Sequence, residues 1–510
     1  MVLLVMLLFA NTKFSRQRVF CQKIIWSDLI INLWHMPVWL FVSDPIKQKS
    51  RNFSKYFNSF YLAKDLKLSI MIYNLIKYLL KVTIYSYFRR VSILGQENIP
   101  TQGPVIFVAN HPSALIDPLV VITGIKRRIN PIAAAEFFGG KIKTWILKNK
   151  FHMIPVYRPD LTKNSSKTSN TDMFTHCHQL LLNQGALLIF PEGTSETGKG
   201  VRNLKTGAAR IALDAERLSK KKIKVQIIPI GLNYSNSHQF RSDLFIKVGP
   251  PILTENIDSD TDNQVHDLTY LIKTGLIDTL LHTGSKELNK LTNSIENFYQ
   301  NYLEESMEIK KDDTFRHFEI QKKVIEATVY SLANHKDKAV KISNRIRKHL
   351  DRNKSEGIYL SDAFKKLSFS EIIELIFGFP AYLLGCILNL LPFLLVKKIF
   401  NNIQIKEAFR GSLAMIIGLF IFLFWYISVV IISTLITKVS IIGFLIFIVG
   451  YLSGLYAISW SKLFFIFSQK LSVYRMKKLK SEAYHEIRTE QKNLLEALNQ
   501  FRAVFDLNNN

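Results

Sequence analysis

Cysteine is nearly missing: the 510 residues carry three, Cys21, Cys177 and Cys386. They lie far apart in segments of different kinds, which excludes a disulfide framework. Acidic residues are scarce as well, 40 against 67 Lys and Arg, leaving a formal charge of +27. Such an excess can serve nucleic acid, but no helix-turn-helix or RNA-binding signature accompanies it, and the phenylalanines sit in apolar segments rather than among basic residues. No metal-ligand pattern stands out. "HCH" at His176 to His178 places neighbours about 100° apart on a helix, and no second ligand pair follows, so it reads as helix surface. The run "MVLLVMLLFA" has its basic residues after it instead of before it, the wrong order for a secretory signal.

What is present is long apolar text. Leu375 to Val396, Gly411 to Thr437 and Val439 to Ser461 contain 22, 27 and 23 residues without a charge. Roughly 20 apolar residues suffice for a helix to cross a bilayer, so each qualifies by length. The positive charge then has an explanation in anionic lipid head groups and in cytoplasmic retention of basic flanks. The stretch "KKIFNNIQIKEAFR" and the tail after Ser461 are both basic, whereas only Lys438 separates the last two runs. This predicts a multi-pass membrane protein in which residues 411–461 form a transmembrane hairpin. Leu375 to Val396 contains Pro380 and Pro392, and is expected to dip into the membrane and return, or to lie against the hairpin. The hairpin has no acid or histidine, which argues against an ion pathway.

Elsewhere the chain divides by composition. Residues 1–70 read as an uncertain extension, with a natural start expected at Met71, where a membrane-associating helix begins. Residues 71–284 form the next domain, and within it residues 104–255 alternate short apolar runs with helical text. "PVIFVAN", "FHMIPVY", "ALLIF" and "KVQIIPI" predict buried strands, so the expected fold is α/β with a largely parallel central sheet flanked by helices. The polar insert "RPDLTKNSSKTSNTD" reads as a loop. Residues 285–367 are polar and helical, either a packed hairpin or a solvent-exposed linker. Membrane segments occupy 368–469, and 470–510 is a charged amphipathic helical tail, either solvated or partner-binding.

The chemistry gathers around "VIFVANHPSALIDPLV". His111 follows a strand and Asp117 lies six residues on. On one continuous helix such residues are about 240° apart and cannot meet. They can meet if His111 occupies the turn after the strand and Asp117 the start of the next helix, with Pro112 in the turn and Ser113 capping. The aspartate then fixes one ring nitrogen and leaves the other as a base for an alcohol. The bland reading is a histidine satisfying strand-end backbone and an aspartate at a helix start. Arg158 and Glu192 also come just after predicted strands, and in a parallel sheet such ends share one edge, where ligand sites form. A guanidinium matches phosphate.

"NHPSALIDP" resembles the first motif of the glycerolipid acyltransferase family, which includes glycerol-3-phosphate and 1-acyl-glycerol-3-phosphate acyltransferases. The family's His and Asp are separated by four residues and these by five, a variant associated with the glycerol-3-phosphate side and with bacterial homologues. "IPVYRP", "FPEGTSE" and "IIPIGLNY" resemble the second, third and fourth motifs in order, and "NLKTGAARIA" the basic stretch that follows the third. The resemblance covers roughly Met71 to Leu253. It implies His111 and Asp117 as a catalytic dyad, and Asn110, Ser113, Arg158, Glu192, Gly193, Thr194 and Lys205 around the substrate, with Arg158 holding the phosphate.

What the resemblance implies as function is transfer of a fatty acyl group from acyl-CoA or acyl carrier protein to a hydroxyl of glycerol-3-phosphate or its 1-acyl form. No cofactor or metal beyond the acyl donor is implied. The partners are substrate, donor and bilayer, with the catalytic domain on the cytoplasmic face. The oxyanion is expected to meet backbone N–H groups after His111 or near Gly193. A phospholipid-remodelling transacylase would use the same dyad, and a non-catalytic lipid-binding scaffold would keep only the fold.

Overall fold

Every residue of "VIFVA" is fully buried, and the sheet is built around it. The structure, a computed structural model, describes residues 71, 74–149, 151–157, 168–256, 263–284, 286–309, 313–366 and 368–509. The expected extension over residues 1–70 lies outside these. Of the unit ending at Leu80, only Met71 and residues 74–80 are described, and they are helical. The second unit runs from Lys81 to Asn510.

Its first part is an α/β layer structure. The strands are β1 (Arg90–Leu94), β2 (Val105–Ala109), β3 (Asn130–Ala134), β4 (Ile154–Val156), β5 (Ala186–Ile189), β6 (Gln226–Tyr234), β7 (Asp243–Val248) and β8 (Ile252–Leu253). They form one sheet in the order β1-β7-β6-β2-β5-β3-β4, with β8 on β6. β2 pairs in parallel with β5 and β6, and β3 with β4 and β5. β7 and β8 pair antiparallel with β6, and β1 pairs in parallel with β7. The four runs expected as strands are β2, β4, β5 and β6.

Alternation along β2 divides the core. Val105, Phe107 and Ala109 face one layer with Phe88 and Ile116, while Ile106 and Val108 face the other with Cys177 and Ala209. A central parallel strand is apolar throughout because both of its faces are covered. The helices between strands are α1 (Ile116–Gly124), α2 (Lys141–Asn149), α3 (Thr168–Leu182), α4 (Gly207–Leu218) and α5 (Gln264–Asp278). In α3, Cys177 is fully buried and His176 exposed. Burial pushes the Cys177 thiol up to about 12.

Residues 286–355 fold as α6 (Lys286–Ser306), α7 (Thr314–Asn334) and α8 (Lys336–Ser355). The tail helix α12 (Ser481–Asn509) packs with them, burying Tyr299, Val324, Ile346 and Leu494 in one core. The polar region is therefore a packed bundle, and the tail is its fourth helix. α7 seats the bundle on the sheet through Phe318, whose ring lies 4.5 Å from that of Phe245 on β7.

Three helices, α9 (Phe369–Asn401), α10 (Glu407–Thr437) and α11 (Ser440–Leu479), are long and apolar enough to cross a membrane. Residues 375–396, expected to dip into the membrane and return or to lie against the hairpin, are helical throughout. They lie in one unbroken helix against α10 and α11, with both prolines inside it. A helical proline removes the hydrogen bond to the carbonyl four residues earlier. For Pro392 that carbonyl is Leu388, and the indole N–H of Trp425 donates to it at 2.8 Å. Trp460 donates likewise to Leu375, beside the carbonyl freed by Pro380.

The three helices pack closely where small residues face a neighbour. Gly385 of α9 approaches Ser453 of α11, Gly443 of α11 approaches Val430 of α10, and Trp425 of α10 meets Leu388 of α9. All three meet at Asn389, which accepts from the Tyr426 hydroxyl at 2.6 Å and donates to the Gly450 carbonyl at 3.0 Å. Glycine permits this approach: a Cβ at position 385 would fall 2.2 Å from the Ser453 carbonyl oxygen, and small residues let helix backbones close in an apolar medium.

Candidate active site

His111 leaves the end of β2 and Asp117 sits in the first turn of α1, so the chain reverses between them. Ala114, with φ at +42°, takes the left-handed conformation that the reversal requires. Nδ1 of His111 lies 2.8 Å from Oδ2 of Asp117. The carboxylate is fully buried, and its same oxygen accepts the Ser113 backbone N–H at 2.7 Å. Its other oxygen accepts the Tyr234 hydroxyl at 2.7 Å. Three donors thus hold one anion, and the bond to Nδ1 orients the ring and leaves Nε2 as the basic nitrogen. Nε2 has no hydrogen-bond partner among the described residues. The imidazole stacks on Phe190 at 4.2 Å. Burial, then the charge of Asp117, pushes the Tyr234 hydroxyl well above its ordinary range, so it stays a donor.

Glu192 follows β5, the strand next to β2, and lies under this turn. It is buried and accepts from the His111 backbone N–H and from the Arg202 guanidinium. Burial raises its pKa, and the Arg202 charge and these hydrogen bonds offset part of the rise. Arg202 also donates to the hydroxyl and the carbonyl of Thr194. The two turns are laced together: Glu196 N–H donates to the His111 carbonyl at 3.2 Å, and Ala114 N–H to the Ser195 hydroxyl at 2.8 Å. Lys205 lies exposed over Gly193, where a Cβ would fall 2.8 Å from its Cε.

Several expected residues have other work. Asn110 exchanges both amide groups with the Leu232 backbone, extending the β2–β6 pairing. Ser113 does not cap α1: the N-cap is Leu115, with no side-chain cap. The Ser113 side chain is fully buried, with its hydroxyl lacking a hydrogen-bond partner among the described residues. The amides of Ser113, Ala114, Ile116 and Gly193 already donate to protein acceptors, so the oxyanion donor is not among them. Arg158 lies outside the described residues. Its strand, β4, is separated from β5 by β3, so the two strand ends are not neighbours.

Two residues near the dyad come from unexpected places. Tyr234 closes the run "IIPIGLNY", whose period-two alternation marks it as a strand but not as a ligand of Asp117. Ser412, in the first turns of α10, donates to the Ser113 carbonyl at 2.8 Å and accepts the Ile116 N–H at 3.2 Å. No local pattern announces it, because it lies 299 residues from Ser113.

Residues 90–233 match the family model described as Acyltransferase. These residues are thus similar to an acyltransferase domain. Within this span lie the dyad, Glu192, Arg202 and Lys205, and Tyr234 follows its last residue. The chain is 31% identical over 133 residues to glycerol-3-phosphate O-acyltransferase 2 of Saccharomyces cerevisiae, covering 26% of this chain and 16% of that protein. It is 29% identical over 146 residues to a 1-acyl-sn-glycerol-3-phosphate acyltransferase of Chlamydomonas reinhardtii, covering 28% of this chain and 39% of that one. The chain therefore spans well under half of either relative. The 1-acyl-sn-glycerophosphate acyltransferase of Thermotoga maritima aligns in structure with a TM-score of 0.31 at 18% identity, covering 44% of this chain and 88% of that one.

Proposed function

We propose that the acyltransferase domain transfers a fatty acyl group from a thioester donor to a hydroxyl of glycerol-3-phosphate. The observation that carries this reading is the 2.8 Å contact between His111 and a fully buried Asp117. Nε2 of His111 takes the proton of the attacking hydroxyl as the new C–O bond forms at the thioester carbon. The C–S bond then breaks, and the departing thiolate takes that proton back. No covalent enzyme intermediate is needed, so holding both reactants in line supplies much of the rate. Lys205, and Arg158 as the motif resemblance implies, supply cationic partners for the phosphate. Glu192 and Arg202 brace the turn beneath His111. The names of the yeast relatives, glycerol-3-phosphate O-acyltransferases 1 and 2, support glycerol-3-phosphate as acceptor over its 1-acyl form.

The membrane arrangement follows from where the helices end. α9 begins beside the bundle and ends beside the start of α10, where Gly411 packs on Ser237 of the α/β domain. On this reading both of its ends lie on one face of the bilayer, so that α9 enters and leaves by the same side. The hairpin α10–α11 enters from that same face with its tip at Lys438. The basic flanks make the face cytoplasmic by the positive-inside rule.

The test is an assay on purified membranes with labelled glycerol-3-phosphate and lysophosphatidate, each offered with acyl-CoA and with acyl carrier protein. Wild-type protein is expected to form lysophosphatidate, and His111→Ala to lose turnover while remaining folded and membrane-bound. Near-normal turnover by His111→Ala refutes the dyad. Transfer that runs only from a phospholipid donor identifies a transacylase instead.

A further inference from the structure

The helical bundle encloses a hole. Between α6, α7, α8 and α12 lies a partly open cavity of about 310 Å³, walled by Ile295, Tyr299, Val324, Ala327, Ile342 and Phe501. Pockets that take small ligands run from roughly 300 to 1,000 Å³ and are mostly apolar with a few placed polar groups. An unfilled apolar space of this size works against a four-helix core, because its lining atoms lose their packing partners. A bundle that existed only to be stable would close it.

The polar groups are placed at the rim. Lys323 is exposed there and has no acidic partner among the described residues. Arg502 also lines the cavity and pairs at 3.5 Å with Asp506, the one acidic residue of the lining. In the wall, the Ser343 hydroxyl is buried without a hydrogen-bond partner among the described residues. An apolar interior with net positive charge at its mouth complements a slender apolar chain that ends in an anion. It does not suit a neutral or cationic ligand.

We propose that this cavity binds the hydrocarbon chain of a single-chain anionic lipid, with its head group at Lys323 and Arg502. This site is separate from the His111 turn and does not rest on the acyltransferase reading. The two are linked by α6. Ile295 and Tyr299 line the cavity, and Glu296 between them holds Lys199, in the loop that carries Arg202.

The experiment uses the full chain in nanodiscs and a photoactivatable fatty acid with its reactive group near the chain end, followed by peptide mapping. Label is expected on peptides from residues 291–343 and 498–506, competed by an added lipid. Separate arms with oleate, oleoyl-lysophosphatidate and oleoyl-CoA identify which head group the site takes. Ala327→Trp, which fills the cavity, should cut labelling of these peptides at least tenfold, and His111→Ala should leave it unchanged. Lys323→Glu, which leaves the core intact, should raise the competing concentration about tenfold, so the head-group assignment stands even where Ala327→Trp unfolds the bundle. Label confined to the α/β domain or to α9–α11, competition by none of the three lipids, or an unaltered competition curve for Lys323→Glu overturns the proposal.

Discussion

The Ser412 hydroxyl, on a helix of the apolar block, donates to the Ser113 carbonyl at 2.8 Å, in the turn that joins His111 to Asp117. The same oxygen accepts the Ile116 N–H. Met415, one turn further along α10, is buried in the same core layer as Ile116. The apolar helices are therefore part of the scaffold that sets the dyad. Ser412→Ala should lower kcat about tenfold, the factor that ~1.4 kcal/mol supplies, with KM for both substrates nearly unchanged. A kcat equal to wild type would show that packing at Gly411 and Met415 holds the turn without the hydroxyl.

Tyr234 donates to Asp117 through its hydroxyl, and the contributions of these two side chains separate by substitution. Asp117→Asn puts an amide where the ring needs an anion, and should reduce kcat by about 10² to 10⁴. Tyr234→Phe keeps the ring against Phe88, 5.6 Å away, and removes only the donor. It should reduce kcat about tenfold without moving KM. A double variant no slower than Asp117→Asn alone places Tyr234 on the same path. Fully multiplicative losses would place it elsewhere.

Arg202 and Lys205 are three residues apart and should behave differently. Arg202 is occupied by Glu192 and Thr194, so Arg202→Ala leaves a buried carboxylate unpaired. Breaking such a pair costs about 3–5 kcal/mol, and the expected outcome is a large drop in melting temperature along with activity. Lys205 is exposed, and Lys205→Gln should raise KM for the phosphate-bearing acceptor about tenfold with the melting temperature unchanged. The reverse pattern, a stable Arg202→Ala with raised KM, would make Arg202 the phosphate ligand.

Sequence periodicity was informative where burial is extreme. β2 and β5 are apolar throughout because both faces are covered, and both could be read directly. β1 and β3 could not: "RVSIL" and "NPIAA" are only partly buried and carry polar residues. The turn between His111 and Asp117 followed from helix geometry alone, since six residues of helix would separate them. What sequence could not supply was pairing at a distance. Ser412 and Tyr234 reach the dyad only through the fold, and a helix carrying Pro380 and Pro392 stays whole because Trp425 and Trp460 supply indole donors from elsewhere in the chain.

Asp243 gives the α/β domain an acid limit. Burial pushes its carboxyl up, but hydrogen bonds from Arg89 and Arg90 and their charges more than reverse this and hold it at about 2, against 3.8 ordinarily. A carboxyl depressed by folding contributes stability above its unfolded pKa and loses it as pH falls through the folded one. The contribution is thus complete above about pH 4 and gone near pH 2, and is at most ~2 kcal/mol before screening of the partly exposed arginines. Asp243→Asn should lower the melting temperature at pH 7, and the gap to wild type should close as pH falls through this window. A gap that is constant with pH would mean that the carboxylate charge is not what ties β1 to β7.

The placement of α9 has a direct test in side-specific labelling. Lys366 and Gln404 flank this helix, both exposed, and Lys438 marks the tip of the hairpin. Single cysteines are introduced at these positions after Cys21 and Cys386 are replaced by alanine, and a membrane-impermeant maleimide is added to sealed vesicles of known orientation. With both ends of α9 on one face, Lys366→Cys and Gln404→Cys label from the same side as the α/β domain, and Lys438→Cys does not. The Trp425 and Trp460 donors predict that this arrangement depends on them, since each satisfies a carbonyl at or beside a proline break. Trp425→Phe leaves the Leu388 carbonyl unpaired in an apolar setting, where a lost partner costs roughly 1–3 kcal/mol, and should make Gln404→Cys label unevenly. Labelling of Lys366→Cys and Gln404→Cys from opposite sides would mean that α9 crosses, and would overturn the proposed arrangement.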